Sequence, residues 1–122
     1  MKVYTGCDII EVQRIKDAIL NPNFILKVYT DKEKEYCESK KGDMKYQHYA
    51  ARFAAKEAVY KAISAILNDK NEISYKNIQI TNSTEGRPEV EIIGLDLKKV
   101  QIDVSLSHLK EYAIATCTVT IK

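Results

Sequence analysis

The chain has 122 residues, 45% hydrophobic and 30% charged, the proportions of an ordinary globular protein. Nineteen Lys and Arg against seventeen Asp and Glu leave a net charge of only +2, too little to point to nucleic acid or a membrane surface. No apolar run nears the roughly 20 residues that cross a bilayer, and the length suits one domain over residues 1–122.

Residues 1–20 carry Asp8, Glu11, Arg14, Lys16 and Asp17 among their apolar positions, a pattern unlike a signal peptide. Cys7, Cys37 and Cys117 are odd in number and scattered. They support neither a disulfide framework nor a CxxC metal site, and they suit a reducing cytoplasm. His48 and His108 stand apart, outside any HExxH pattern or His/Cys cluster, so no zinc site is expected.

In chain order, Lys2 to Val12 alternates as a strand, and a short helix from about Glu11 to Leu20 is expected to end at Asn21-Pro22. Thr30-Asp31-Lys32-Glu33 is a capping box, which predicts a helix over Asp31–Ser39. Residues 44–67, rich in Ala and free of Gly and Pro, predict the longest helix. Ile78–Ile80 and Glu89–Ile92 read as strands flanking the Asn82-to-Arg87 loop. Gln101–Ser107 and Tyr112–Ile121 alternate again, joined by a hairpin at His108–Glu111. Helices cluster early and strands late, so the class is α+β, with helices packed on a mostly antiparallel sheet.

On a helical wheel with Phe53 at zero, the tyrosines and alanines of the long helix fill an arc from about −40° to about 180°. Glu57 and Lys61 fall inside that arc, and Arg52 and Lys56 on its flank. Glu57 and Lys61 are therefore expected on the face a helix buries, four residues apart. A structural ion pair is one reading of them. Asp8 supplies the other, because it interrupts an apolar strand directly after Gly6 and Cys7, where an unpaired carboxylate is costly. As a strand-end cap it needs nothing more. With a second carboxylate on the helix it could share a hard cation such as Mg²⁺, which takes one or two protein carboxylates and keeps its other positions for water and phosphate.

Three blocks then carry a resemblance. Gly6-Cys7-Asp8-Ile9-Ile10-Glu11-Val12, Arg52-Phe53-Ala54-Ala55-Lys56-Glu57-Ala58-Val59-Tyr60-Lys61-Ala62, and Val104-Ser105-Leu106-Ser107-His108 with Tyr112-Ala113 resemble the signatures of the holo-[acyl-carrier-protein] synthases. These are the small bacterial-type 4′-phosphopantetheinyl transferases, and the blocks occur in family order. The resemblance implies transfer of 4′-phosphopantetheine from coenzyme A to a serine of an apo acyl carrier protein, with release of 3′,5′-ADP. It also implies Mg²⁺ held by Asp8 and Glu57, with Glu57 and Lys61 as catalytic residues and Lys61 beside the phosphates. His108 and Arg52 are implied on the 3′-phosphate side of coenzyme A, and Glu85-Gly86-Arg87-Pro88 as a nucleotide-side loop. Arg14 matches a position that contacts the acidic carrier protein, with Lys16 and Lys27 adding to the steering charge. A homotrimer with interfacial active sites is implied too.

One block departs from the family. A Gly-Thr-Gly loop is common after the long helix, whereas this chain reads Ala62-Ile63-Ser64-Ala65-Ile66-Leu67-Asn68-Asp69, with no glycine before Gly86. The helix is expected to run on through it. Cys7, where an aliphatic residue is common, reads as a small core residue. A non-catalytic coenzyme A or carrier-protein binding module of the same fold is the alternative. An RNA-binding α+β domain is the third reading, prompted by eight tyrosines, but no RNP-like sequence accompanies them.

Overall fold

The first strand of the chain finds its partner in the last. In a computed structural model that describes residues 1–69 and 73–122, β1 (Lys2–Glu11) pairs antiparallel with β5 (Tyr112–Ile121). On its other side β5 pairs with β4 (Val100–His108), giving the order β1-β5-β4. A separate antiparallel ribbon joins β2 (Ile78–Asn82) to β3 (Pro88–Ile92). Strand alternation turns Ala113, Ala115, Cys117 and Val119 inward, where all four are buried.

Of the helices α1 (Val12–Ala18), α2 (Pro22–Val28), α3 (Asp31–Glu38) and α4 (Met44–Ile63), α4 packs along the inner face of the three-stranded sheet and the shorter ones gather around it. The capping box at α3 forms in both directions: Thr30 Oγ1 accepts from the Glu33 amide at 3.3 Å, and Glu33 Oε1 from the Thr30 amide at 2.8 Å. Asn21-Pro22 not only ends α1 but also starts α2, which the sequence reading passed over. Asn21 Oδ1 caps the Asn23 amide at 3.0 Å, and Pro22 takes the first helical position, where a missing N–H costs nothing.

The long helix stops at Ile63 instead of running to residue 67. Ser64 turns its hydroxyl back to the Lys61 carbonyl at 2.8 Å, and Ile66 closes a tighter turn on Ile63. The wheel also needs correcting. Lys56 and Arg52, placed on the flank, are buried, whereas Glu57 is half-buried and Lys61 exposed. Small alanines on nearly every side let α4 sink between the sheet and the other elements, so its charged stems are enclosed by neighbours and not by its own apolar arc.

Lys56 is enclosed without being unpaired. Its ammonium lies 2.8 Å from Glu33 Oε1 and also donates to the carbonyls of Tyr75 and Ile78. Glu33 Oε2 accepts the Ile80 amide at 2.8 Å, so one buried ion pair ties α3, α4 and β2 together. Burial still pulls the Lys56 pKa down, against the pull of Glu33. Cys7 is exposed and not a core residue, because alternation turns it to the outer face of the sheet. None of the helices among the described residues is long and apolar enough to cross a membrane.

Candidate active site

β1 and α4 cross at Gly6. A Cβ there would stand 2.0 Å from the Ala58 carbonyl oxygen and 3.0 Å from the Ala62 nitrogen, so glycine is what admits the helix this close. Two residues on, Asp8 points to the same side of the strand. Lys61 reaches it from α4: its ammonium lies 3.4 Å from Asp8 Oδ1 and donates to the Cys7 carbonyl at 3.0 Å. The expected Glu57–Lys61 pair on one helix thus gives way to a pair across the crossing.

Glu57 stands half-buried on α4, one turn before Lys61. Tyr75 opens the 3-10 turn Tyr75–Asn77 that leads into β2. Burial first, then the nearby carboxylates of Glu57 and Asp8, push the Tyr75 pKa up to about 12. Both carboxylates therefore act on one small region, beside an ammonium whose side chain is 52% exposed. Among the described residues no three His, Cys, Asp or Glu side chains converge into a closed metal cage. Two carboxylates open to solvent fit a hard cation that shares its positions with water and phosphate oxygens.

The remaining nominated residues meet elsewhere. A cleft of about 370 Å³ is lined by Arg52, Gly86, Arg87, Pro88 and His108, all five of the expected coenzyme-binding residues. Tyr36, His48, Asn82 and Ser105 are among the other residues that line it, and among the described residues no carboxylate does. Arg52 is 2% exposed, with its guanidinium carbon 4.1 Å from the centre of the Tyr36 ring. Its Nε and Nη2 are buried and find no hydrogen-bond partner among the described residues. Buried donors without acceptors are costly, and an anion entering the cleft would satisfy them.

The sequence reading weighed His48 only as a metal ligand and did not nominate it for this cleft. The available signal was its spacing, four residues before Arg52 and so on the same helix face. Its ring packs 5.0 Å from that of His108 and 5.5 Å from Tyr36. Burial, then the charges of His108, Arg52 and Lys40, lower its pKa to about 4. Burial and Arg52 also lower that of His108, whose Nδ1 lies 2.8 Å from Gln47 Oε1. Gly86, at φ +85°, makes the turn that presents Arg87 to the cleft.

Arg14 joins neither group. It stands exposed on α1, where Lys16 pairs with Asp43 at 3.6 Å. Lys27 ends α2 beside an apolar groove that includes Phe24 and Phe53. On α4 itself, Arg52 and Glu57 are five residues apart and so project about 140° from one another. The anion cleft and the carboxylate pair thus open on different faces of the same helix.

Comparison with known proteins places the chain in a family. The pattern of the 4′-phosphopantetheinyl transferase superfamily matches residues 4–117. The holo-[acyl-carrier-protein] synthase of Ruminiclostridium cellulolyticum is 45% identical over 129 aligned positions, taking in 99% of this chain and 94% of the relative. The crystal structure of the Bacillus anthracis holo-(acyl-carrier-protein) synthase in complex with CoA (3′,5′-ADP) superposes with a TM-score of 0.81 at 29% identity. It covers 98% of this chain and 96% of that one. The Helicobacter pylori synthase in complex with coenzyme A gives 0.79 at 26% identity, over 95% and 99%. The chain belongs to the 4′-phosphopantetheinyl transferase superfamily and, within it, to the holo-[acyl-carrier-protein] synthases.

Proposed function

We propose that residues 1–122 form a single transferase domain in which Asp8, Glu57 and Lys61 work on the diphosphate of coenzyme A while the Arg52–His108 cleft grips its 3′-phosphate. As a holo-[acyl-carrier-protein] synthase, the chain moves 4′-phosphopantetheine from coenzyme A to an acyl carrier protein. The observation that carries the residue assignment is the Gly6 crossing, which brings Lys61 of α4 onto Asp8 of β1.

The serine Oγ of the carrier attacks the β-phosphorus, the bond to the bridging oxygen breaks, and 3′,5′-ADP departs. Such a transfer depends on positioning and on neutralising charge more than on covalent help from the protein. The Lys61 ammonium, half-exposed beside Asp8, lies where it can stabilise charge on the leaving oxygen. Glu57 takes the serine proton, directly or through one water. A Mg²⁺ ion held by Asp8 and Glu57 would supply Lewis-acid neutralisation of the phosphate oxygens. Arg52, Arg87 and His108 orient the nucleotide end, and Gly86-Arg87-Pro88 lies against it.

Because the cleft and the carboxylate pair open on different faces of α4, we propose that neighbouring copies share each site. The outer face of the sheet carries exposed Val3, Ile9, Tyr112 and Ile114, an apolar surface suited to joining copies into the family's trimer. Arg14 on α1 meets the acidic carrier protein. A cytoplasmic setting suits the three free thiols.

The experiment is to incubate the chain with apo carrier protein, coenzyme A and Mg²⁺ and weigh the carrier. A gain of one phosphopantetheine supports the reading; coenzyme A capture with no gain supports the non-catalytic binding module instead. Site sharing is tested by mixing Asp8→Asn with Arg52→Ala under subunit exchange. Mixed assemblies are expected to regain activity that neither variant has, and a silent mixture would sink the shared site.

A further inference from the structure

We infer that Gln47 is a positioning residue for coenzyme binding: it fixes His108 in the tautomer whose second ring nitrogen bears no hydrogen, so that the 3′-phosphate enters the cleft together with one proton. The inference rests on the reading of the cleft above and adds a residue from outside the three sequence signatures.

His108 ends β4 and lines the cleft, and its Nδ1 lies 2.8 Å from Gln47 Oε1 on α4. A carboxamide oxygen only accepts, so the hydrogen of this bond belongs to Nδ1. A neutral imidazole carries one N–H, which leaves Nε2 a bare lone pair. The His48 ring, edge-on at 5.0 Å, packs against this ring from the same helix. A phosphate dianion offers only acceptors, and two lone pairs brought together repel. The unpartnered Arg52 nitrogens and Arg87, which also lines the cleft, serve the other phosphate oxygens. One proton drawn from solvent onto Nε2 turns the remaining contact into a charge-assisted hydrogen bond.

The groups around His108 set when that proton arrives. Arg52 and His48 face it from α4, Tyr36 from α3 and Arg87 from the turn before β3, while its register partner on β5 is Ala113. Lys40, just after α3, adds positive charge at His48. Lys110 and Glu111 of the adjoining hairpin line a different cavity. No anion among these cleft groups holds an imidazolium while the cleft is empty, and burial and the Arg52 charge lower the pKa of the free ring. A bound phosphate reverses that balance. His108 is then neutral before binding and charged after it, so affinity falls as pH rises.

Calorimetric titration of the assembled protein with coenzyme A, in buffers of different protonation enthalpy, counts the protons. At about pH 7.5 the wild type is expected to take up about one proton per coenzyme, with affinity weakening by up to about tenfold per pH unit above neutrality. The 3′-dephospho form should bind with no uptake. Gln47→Met removes the acceptor and frees the ring to carry its hydrogen on Nε2, so uptake should fall by about half or more and the pH profile flatten. Lost packing alone would weaken binding equally at every pH. Nitrogen-15 NMR of the ligand-free protein should find His108 protonated on Nδ1. A ring protonated on Nε2, binding of coenzyme A without uptake, or undiminished uptake in Gln47→Met would overturn the inference. Equal affinity of the wild type for coenzyme A and its 3′-dephospho form would instead overturn the underlying reading of the cleft.

Discussion

Gly6 touches Ala58: a methyl group at Gly6 would lie 2.0 Å from the Ala58 carbonyl oxygen, well inside any allowed contact. Since that oxygen belongs to helix backbone, it cannot swing aside as a flexible side chain would. Gly6→Ala is expected to push α4 off β1 and to cost about 2–3 kcal/mol as an overpacked core change. Because Asp8 and Lys61 flank the crossing, activity should fall by more than stability explains. Thermal unfolding and carrier modification, measured together, check both halves.

Asp8→Asn and Glu57→Gln change charge without changing shape, and both groups lie at the open side of the crossing. Each is expected to lower kcat by about a hundredfold or more, in line with loss of a transition-state charge partner, with the fold retained. Lys61→Met should lose a similar factor while moving stability by under about 1 kcal/mol, as the ammonium end of its ion pair is half-exposed. Circular dichroism and steady-state rates separate the two effects.

Arg52 makes the opposite kind of prediction. Its buried guanidinium leaves two nitrogens without acceptors, so the folded chain gains little from it besides the contact with Tyr36. Arg52→Met is expected to leave stability within about 1 kcal/mol of wild type or to raise it. The KM for coenzyme A should nevertheless rise tenfold or more, and the preference over 3′-dephospho-coenzyme A should shrink. Equal preference in wild type and variant would remove Arg52 from the 3′-phosphate.

Lys56 and Glu33, by contrast, complete each other. Lys56→Met leaves Glu33 buried without its cation and is expected to cost about 3–5 kcal/mol. Chemical denaturation gives the number. The pair lies outside the carboxylate region, so any residual folded protein should still bind coenzyme A.

The histidine pair gives the molecule an acid limit. His48 faces His108, Arg52, Lys40 and the Tyr36 ring, and it stays neutral in the fold down to about 4, against an ordinary value of 6.5. Between those pH values the unfolded chain binds the extra proton and the folded chain does not, so stability is full above 6.5 and falls as pH drops toward 4. His48→Phe should flatten that part of the thermal-midpoint profile.

Much of this was readable beforehand because local chemistry and tertiary structure agree. The capping box at Thr30, the alternation of β4 and β5, and the glycine ahead of Asp8 each name their own environment. The burial of Arg52 and Lys56 was not readable, because a wheel assumes one apolar face and α4 is flanked on several sides. Glu33 shows why: its partner lies 23 residues away and its second anchor, Ile80, 47 residues away, beyond any local pattern. The cleft residues were legible only through family resemblance, and their convergence in one cavity is a fact of the fold.

The sheet order has a consequence for how the centre is assembled. Asp8 lies on β1, whose single neighbour in the sheet is β5, opposite Ala115, while α4 backs the strand from within at Gly6. A chain that has made β1 and α4 already owns Asp8, Glu57 and Lys61, yet the sheet that frames them is complete only with β5 seated between β1 and β4.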